Sequence, residues 1–454
     1  MRGIAGWFKV GTVCCLLSVV GCDSGNKNEG HELEGSTRSL RGRAFSSDTG
    51  KPLTDALVTI GGSSGNSDGE GAFTLSYSSS AKDRDLQVNA KEYAPVRKSV
   101  PAGDGYVEVF AKSIDAKETV APDKDGVVKS DKGASLEIKA GSLETKDGKS
   151  PKEIELAVAA PDAKRATDLD ALPGDFAAKQ GDVIGKVSAS APVYIDASEK
   201  GQELNLKAGQ KANVTLPASG KKKAAQPTLY RFDEVLGLWL EAGPAVEGLD
   251  GDGLPVFSAE VDRFGWFTVG TFIGELSCIR TCVVHENQTP VPFARAVVTG
   301  VDLFTQSVAF AGADGCLALS VPANARLTLS VQSEGARAAP QVVQSTTGGN
   351  AAQPDTCLQL PPVVLAASQP STCPLGFASC GDSCVDIARD PANCGGCGQS
   401  CGTNLCAGAR CVDLGATGQA RRWRDRSQNR RLHTAARRGP RLRGEHRRLL
   451  QRHG

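Results

Sequence analysis

Ala56-Leu57-Val58-Thr59-Ile60-Gly61, the turn Ser67-Asp68-Gly69-Glu70-Gly71, then Ala72-Phe73-Thr74-Leu75: the architecture can be read from this stretch. Apolar side chains recur at every second position, and clusters of Gly, Asp and Ser separate the runs. That period places one face of each run against a core and marks the breaks as turns. Outward on the N-terminal side lie Leu40-Arg-Gly-Arg-Ala-Phe45 and the turn Asp48-Thr-Gly-Lys-Pro52. On the C-terminal side follow Leu86-Gln-Val-Asn-Ala90 and Tyr106-Val-Glu-Val-Phe110. Turns about every ten residues over 39–112 describe a small β-sandwich.

The same texture runs through the chain. Its 454 residues exceed what one core supports, and 52 Gly and 23 Pro interrupt short Val, Leu and Thr runs. The expected class is all-β: tandem β-sandwich modules, then a small disulfide-rich module, with disordered termini. A β-rich middle domain is expected over 118–273, where Pro192-Val-Tyr-Ile195, Ala212-Asn-Val-Thr-Leu216, Leu229-Tyr-Arg-Phe-Asp233 and Gly237-Leu-Trp-Leu240 are strand-like. Trp239, Phe264 and Trp266 read as core aromatics rather than a ligand-stacking platform.

A second sandwich is expected over 278–366, because the first pattern returns there. Pro292-Phe-Ala-Arg-Ala296-Val-Val-Thr299 parallels Pro52-Leu-Thr-Asp-Ala56-Leu-Val-Thr59, and Asp314-Gly315-Cys-Leu-Ala-Leu319 parallels Glu70-Gly71-Ala-Phe-Thr-Leu75.

These residues resemble the carboxypeptidase regulatory-like (transthyretin-like) family, through Gly42-Arg-Ala, Gly50-Lys-Pro52, Ala56-Leu-Val-Thr-Ile60 and Asp68-Gly-Glu-Gly71-Ala-Phe73. The resemblance implies non-catalytic modules that stabilise, space or bind. The middle domain resembles the β region of the cartilage intermediate layer protein, through its Tyr-x-Phe-Asp strand, Gly-x-Trp turn and closing Phe264-Gly-Trp266-Phe267. Over 373–412, Cys380-Gly-Asp-Ser-Cys384-Val-Asp386 and Asp390-Pro-Ala-Asn-Cys394-Gly-Gly-Cys397-Gly-Gln-Ser-Cys401 resemble the stigma-specific Stig-like cysteine repeat.

The N-terminus reads as an address. Arg2 and Lys9 precede an apolar run, Val10–Val20, too short to cross a bilayer as a helix. Val19-Val20-Gly21-Cys22 then resembles a bacterial lipobox, which implies a signal peptide over 1–21 and a lipidated Cys22 that holds the protein to the membrane. Residues 22–38 read as a flexible tether, since Asp23–Glu32 is polar almost throughout. The implied location is the cell envelope, at the outer membrane or cell surface.

Twelve cysteines follow Cys22: Cys278, Cys282, Cys316 and Cys357, then Cys373, Cys380, Cys384, Cys394, Cys397, Cys401, Cys406 and Cys411. Both groups are even, which in an exported protein favours disulfides over metal or catalysis. The first four allow three connectivities, among which spacing does not choose. The zinc-type spacing Cys394-x-x-Cys397 is the competing reading.

Charge and histidine narrow the function. Without the first 21 and last 34 residues, 37 Lys and Arg face 49 Asp and Glu, a net charge of −12, so the body offers no nucleic-acid footprint. Only five histidines exist, and His433, His446 and His453 fall in the tail, which leaves His285 alone in the body and His31 in the tether. Most hydrolase mechanisms need an imidazole, so no catalytic residue, cofactor or metal is assigned. Asp123-Lys-Asp125-Gly and Asp250-Gly-Asp252-Gly are short acidic turns that could hold calcium but lack the further ligands of a loop site. The tail, 413–454, is expected to be disordered. It reads either as a basic arm or, since it has 13 Arg and no Lys, as an out-of-frame translation of GC-rich DNA. The sum is a non-catalytic, surface-anchored display or recognition protein. The partners to expect are surface glycans or other envelope proteins; the alternative is a carbohydrate-binding or accessory subunit of an envelope enzyme.

Overall fold

The alternation of the opening stretch becomes a seven-stranded sandwich. Its strands are β1 (Thr37–Ser46), β2 (Leu57–Ile60), β3 (Ser63–Asn66), β4 (Ala72–Ser78), β5 (Asp85–Asn89), β6 (Val96–Ser99) and β7 (Gly105–Ala111). One sheet runs β4-β1-β7, with β1 and β7 parallel, and the other runs β3-β2-β5-β6. Leu40, Val58, Ile60, Phe73, Leu75, Leu86, Val88, Val107 and Val109 meet between them. The computed structural model describes residues 36–412 except 81–83, 219–226, 335, 368–372, 375–376, 382 and 403. The signal segment, Cys22, most of the tether, Lys221–Lys223 and the tail lie outside the described residues.

Gly71 shows why this turn needs glycine. Its φ is +73°, and a Cβ there would stand 2.4 Å from the Ala44 carbonyl oxygen. Gly71→Ala therefore combines left-handed strain with a backbone collision, and a loss of about 2 kcal/mol or more is expected in urea unfolding.

The second sandwich repeats the first strand for strand. Leu276–His285 pairs antiparallel with Cys316–Pro322 and parallel with Val363–Ala367, as β1 does with β4 and β7. Arg295–Gly300 pairs with Gln306–Phe310 and with Arg326–Ser333, which pairs with Gln341–Gln344, as in the β3-β2-β5-β6 sheet. Here the two sheets are also joined at a corner through Ala336–Arg337.

The register of the repeat differs from the sequence alignment by two residues. The Leu53 amide donates to the Ala44 carbonyl and the Val291 amide to that of Val283, so Pro290, and not Pro292, stands where Pro52 stands. Asp55 and Phe293 occupy the same left-handed position, with φ of 57° and 58°, and Ala56 matches Ala294. A slip of two keeps every side chain on its own face, so alternation could not register the error.

Between the sandwiches, a five-stranded sheet (Val246–Leu249, Pro255–Val261, Ala212–Pro217, Ser135–Ile138, Gly126–Lys129) packs on an eight-stranded one. The larger sheet is centred on Gly265–Ile273 and the 17-residue strand Val183–Glu199. Leu136, Leu156, Val193, Ile195, Val214, Leu216, Phe267 and Val269 fill the space between. The outer face of the large sheet is apolar too, with Trp239, Tyr230, Phe232 and Trp266 buried on it. Phe264 is partly buried against the main core.

Twelve cysteines form six disulfides. Cys278–Cys357 and Cys282–Cys316 bind the second sandwich. Cys373–Cys384, Cys380–Cys397, Cys394–Cys406 and Cys401–Cys411 hold the C-terminal module. The two thiols of the Cys394-x-x-Cys397 spacing thus belong to different cystines, and neither is a thiolate available to zinc.

Candidate functional site: a junction of four modules

The one α-helix among the described residues, α1 (Ala166–Ala171), was not foreseen within an all-β middle domain. It forms in an Ala-rich run between Pro161 and Pro173, and Pro173 prevents its continuation. The Asp168 carboxylate accepts the Asp162 amide at 2.8 Å, tying the helix to the loop before it. All six helical residues are buried, because every module packs on this short element.

From the first sandwich, the Ser47 and Asp48 carbonyls accept from Arg165 at 2.8 and 3.0 Å. Lys98 donates to the Leu172 carbonyl at the helix C-terminus, 2.6 Å away. Lys112, wholly buried, lies between the Asp48 and Asp115 carboxylates at 3.1 and 3.0 Å.

From the second sandwich, Arg295 lies 3.6 Å from Asp170, and the Gln306 amide donates to the same carboxylate. The Phe304 carbonyl accepts from Ala189 at 2.8 Å, and Phe304 joins the aromatic cluster on the large sheet. From the cysteine-rich module, Arg389 approaches Asp170 at 3.7 Å, holds Asp386 at 2.6 Å and donates to the Thr299 hydroxyl at 3.0 Å. Phe45, Phe110 and Phe377 stack in sequence, 5.8 and 5.5 Å between centroids, joining the first sandwich to that module. At Gly50 the backbones touch: a Cβ there would stand 2.4 Å from the Cys384 Cβ.

Asp170 is the electrostatic centre. Burial alone would push its pKa up, but the charges of Arg295, Arg389 and Lys98, with the Gln306 hydrogen bond, outweigh burial and hold it below the ordinary carboxylate value. Burial draws the Lys98 ammonium down to about 8, opposed by Asp170. Arg389 moves the other way, since Asp386 and Asp170 outweigh its burial. A cavity of about 40 Å³ opens beside the cluster, lined by Glu108, Asp170, Arg295, Arg337, Asp386 and Arg389. That is room for ordered water and too small for an organic substrate. The arrangement clamps: it fixes three modules to a helix borne by the fourth.

The other residues singled out in the sequence lie apart. His285 stands at the exposed end of its strand. At the two acidic turns the place of a cation is taken by lysine: Lys129 holds Asp250 and Asp252, and Lys139 holds Asp125 at 2.8 Å. Asp250 also accepts the amides of Asp252 and Leu254, as a turn-forming aspartate does. Among the described residues the one group with metal-type ligand spacing is Cys394, Cys401 and Cys411, whose sulfurs are already in disulfides. Lys98, Asp170, Arg295, Gln306 and Arg389 were missed by sequence reasoning. Each sits in an ordinary polar context, and only the Ala-rich run between two prolines hinted at the helix.

No family model matches the chain, and no curated protein matches it. Solved structures give remote matches. The shaft pilin SpaA of Lactobacillus rhamnosus GG aligns at 8% identity over 74% of this chain and 100% of its own, with a TM-score of 0.15. The major pilin subunit BcpA of Bacillus cereus aligns at 8% over 73% and 100%, with a TM-score of 0.16. A protein of unknown function from Bacteroides fragilis aligns at 12% over 53% and 99%, with a TM-score of 0.15. At such values the superpositions carry no weight for fold or function.

Proposed function

We propose that the chain is an exported, envelope-anchored lipoprotein that catalyses nothing and holds recognition surfaces on a rigid multi-module body. The observation that carries this reading is the set of six disulfides, which use all twelve cysteines after Cys22. Disulfides of this density persist in oxidising compartments. The lipobox-like Val19-Val20-Gly21-Cys22 supports export and an acyl anchor. The clamp at Asp170 supports a body that keeps its modules in one arrangement, as a display scaffold requires.

Intact mass of the protein purified from its native membrane tests this reading. The expected result is loss of residues 1–21, a diacyl or triacyl addition at Cys22, and a gain of twelve hydrogens on reduction, two for each of the six cystines. An unmodified and already reduced chain would overturn it.

A second reading, an accessory glycan-binding subunit, is favoured by one feature. A groove of about 560 Å³ crosses the five-stranded sheet, with Glu137, Asn213, Thr215, Ser258 and Glu260 among its polar lining. Retention on an immobilised envelope glycan, abolished by Asn213→Ala with Ser258→Ala, would support it over passive display.

A further inference from the structure

The hairpin between strands Thr228–Asp233 and Leu238–Pro244 carries Val235 and Leu236 at its tip, 93% and 59% exposed. Val235 is the most exposed large apolar residue among the described residues, and Leu236 beside it extends the same apolar surface. The tip is rigid. One Asp233 carboxylate oxygen accepts the amides of Val235 and Leu236 at 3.1 and 3.0 Å, and the Gly237 amide donates to the Asp233 carbonyl at 2.8 Å. Gly237 takes the left-handed φ of +65° that closes the turn. The strands below it are anchored by Phe232 and Trp239, buried in edge-to-face contact at 5.5 Å. An anchor already immobile loses little conformational entropy on binding.

Charge selects the occupant. Around the tip, Asp85, Asp233 and Glu234 face Arg97 and Arg231. Glu234 is the most exposed of these, and its contact with Arg97 is long, 3.6 Å. The apolar pair is thus rimmed by three carboxylates against two guanidinium groups, an excess of one negative charge carried outermost by Glu234. An anionic lipid headgroup would meet Glu234 as the outermost charge, which disfavours it as the occupant. We propose that Val235 and Leu236 form a docking knob for a second envelope protein, one whose surface offers an apolar socket rimmed by lysine or arginine. This rests on the recognition reading above.

The test uses the full chain in intact cells, with Leu236→p-benzoylphenylalanine and, as control, the same photoreactive residue at Lys146, whose side chain is 71% exposed. Membrane and soluble fractions are both analysed, so an absent anchor and an absent partner are read separately. The expected result is one discrete adduct with another protein at position 236 and none at 146. That protein, purified, then binds the wild-type chain; Leu236→Ala weakens binding about 10-fold, and Val235→Asp with Leu236→Asp about 100-fold or more. Glu234→Lys lowers affinity and flattens its salt dependence. Adducts to lipid, adducts between copies of this chain, no adduct above control, or wild-type affinity in the double aspartate variant would each overturn the proposal.

Discussion

Asp170→Ala is expected to destabilise the protein by about 3–5 kcal/mol, because it strands buried cations without their shared counter-charge. Arg295, Arg389 and Lys98 come from three modules and converge on that carboxylate, which is itself buried. The substitution should also change the form of unfolding. Calorimetry of the wild type should show modules melting together, whereas the variant should show the first sandwich separating from the second and from the cysteine-rich module. The pH dependence gives an independent check. The folded Asp170 carboxyl titrates below its ordinary value near 3.8, so its contribution is present above that value and is lost as pH falls through the lower, folded one. The acid limb of the stability curve should therefore be shallower in Asp170→Ala. A single unshifted transition with an unchanged acid limb would show that the cluster does not join the modules.

Breaking cystines in the C-terminal module should produce the second large effect. Cys394, Cys401 and Cys406 are its buried centre, and a segment this short has no apolar core of its own to fall back on. Removing Cys394–Cys406, which closes a loop of 12 residues, is expected to cost about 3 kcal/mol. The loss should spread from there to the junction. Arg389, whose amide is bonded to the Asp386 carbonyl and whose guanidinium reaches Thr299 and Asp170, is positioned by the same fold. Hydrogen exchange of Cys394→Ser with Cys406→Ser should show lost protection over 384–411, including the Cys384 amide that donates across the junction to the Thr49 carbonyl. The first sandwich contains no cysteine and should keep the protection of β1, β4 and β7. Protection lost equally across that sandwich would mean that the junction, and not the local cystines, sets its stability.

Local chemistry carried much of the architecture. Period-two runs such as Ala56–Ile60 and Arg326–Gln332 can bury one face only as strands, and Gly71 and Gly315 mark turns that no other residue enters without strain. The even count of cysteines pointed to disulfides. The opening strand of the first sandwich starts at Thr37 and that of the second at Leu276, where strand ends are set by hydrogen bonding as well as by side-chain pattern. Where sequence reasoning ran out, the limit was physical. Alternation has a period of two, so it could not distinguish Pro290 from Pro292 as the partner of Pro52. Cystine pairing depends on which strands become neighbours, as Cys282 and Cys316 do across one ladder.

The convergence of Lys98, Asp170, Arg295 and Arg389 belongs wholly to tertiary structure. These residues are spread from position 98 to position 389, and each looks like a solvated charge in its own segment. Only packing of four modules on α1 removes them from water, and only then does their mutual charge outweigh the loss of hydration. Strands, turns and the oxidised state of the cysteines were legible along the chain, because these follow from contacts near in the chain or from composition. The clamp and the exposed Val235–Leu236 tip were decided by the fold, because burial and exposure are properties of what packs against a residue and not of the residue itself.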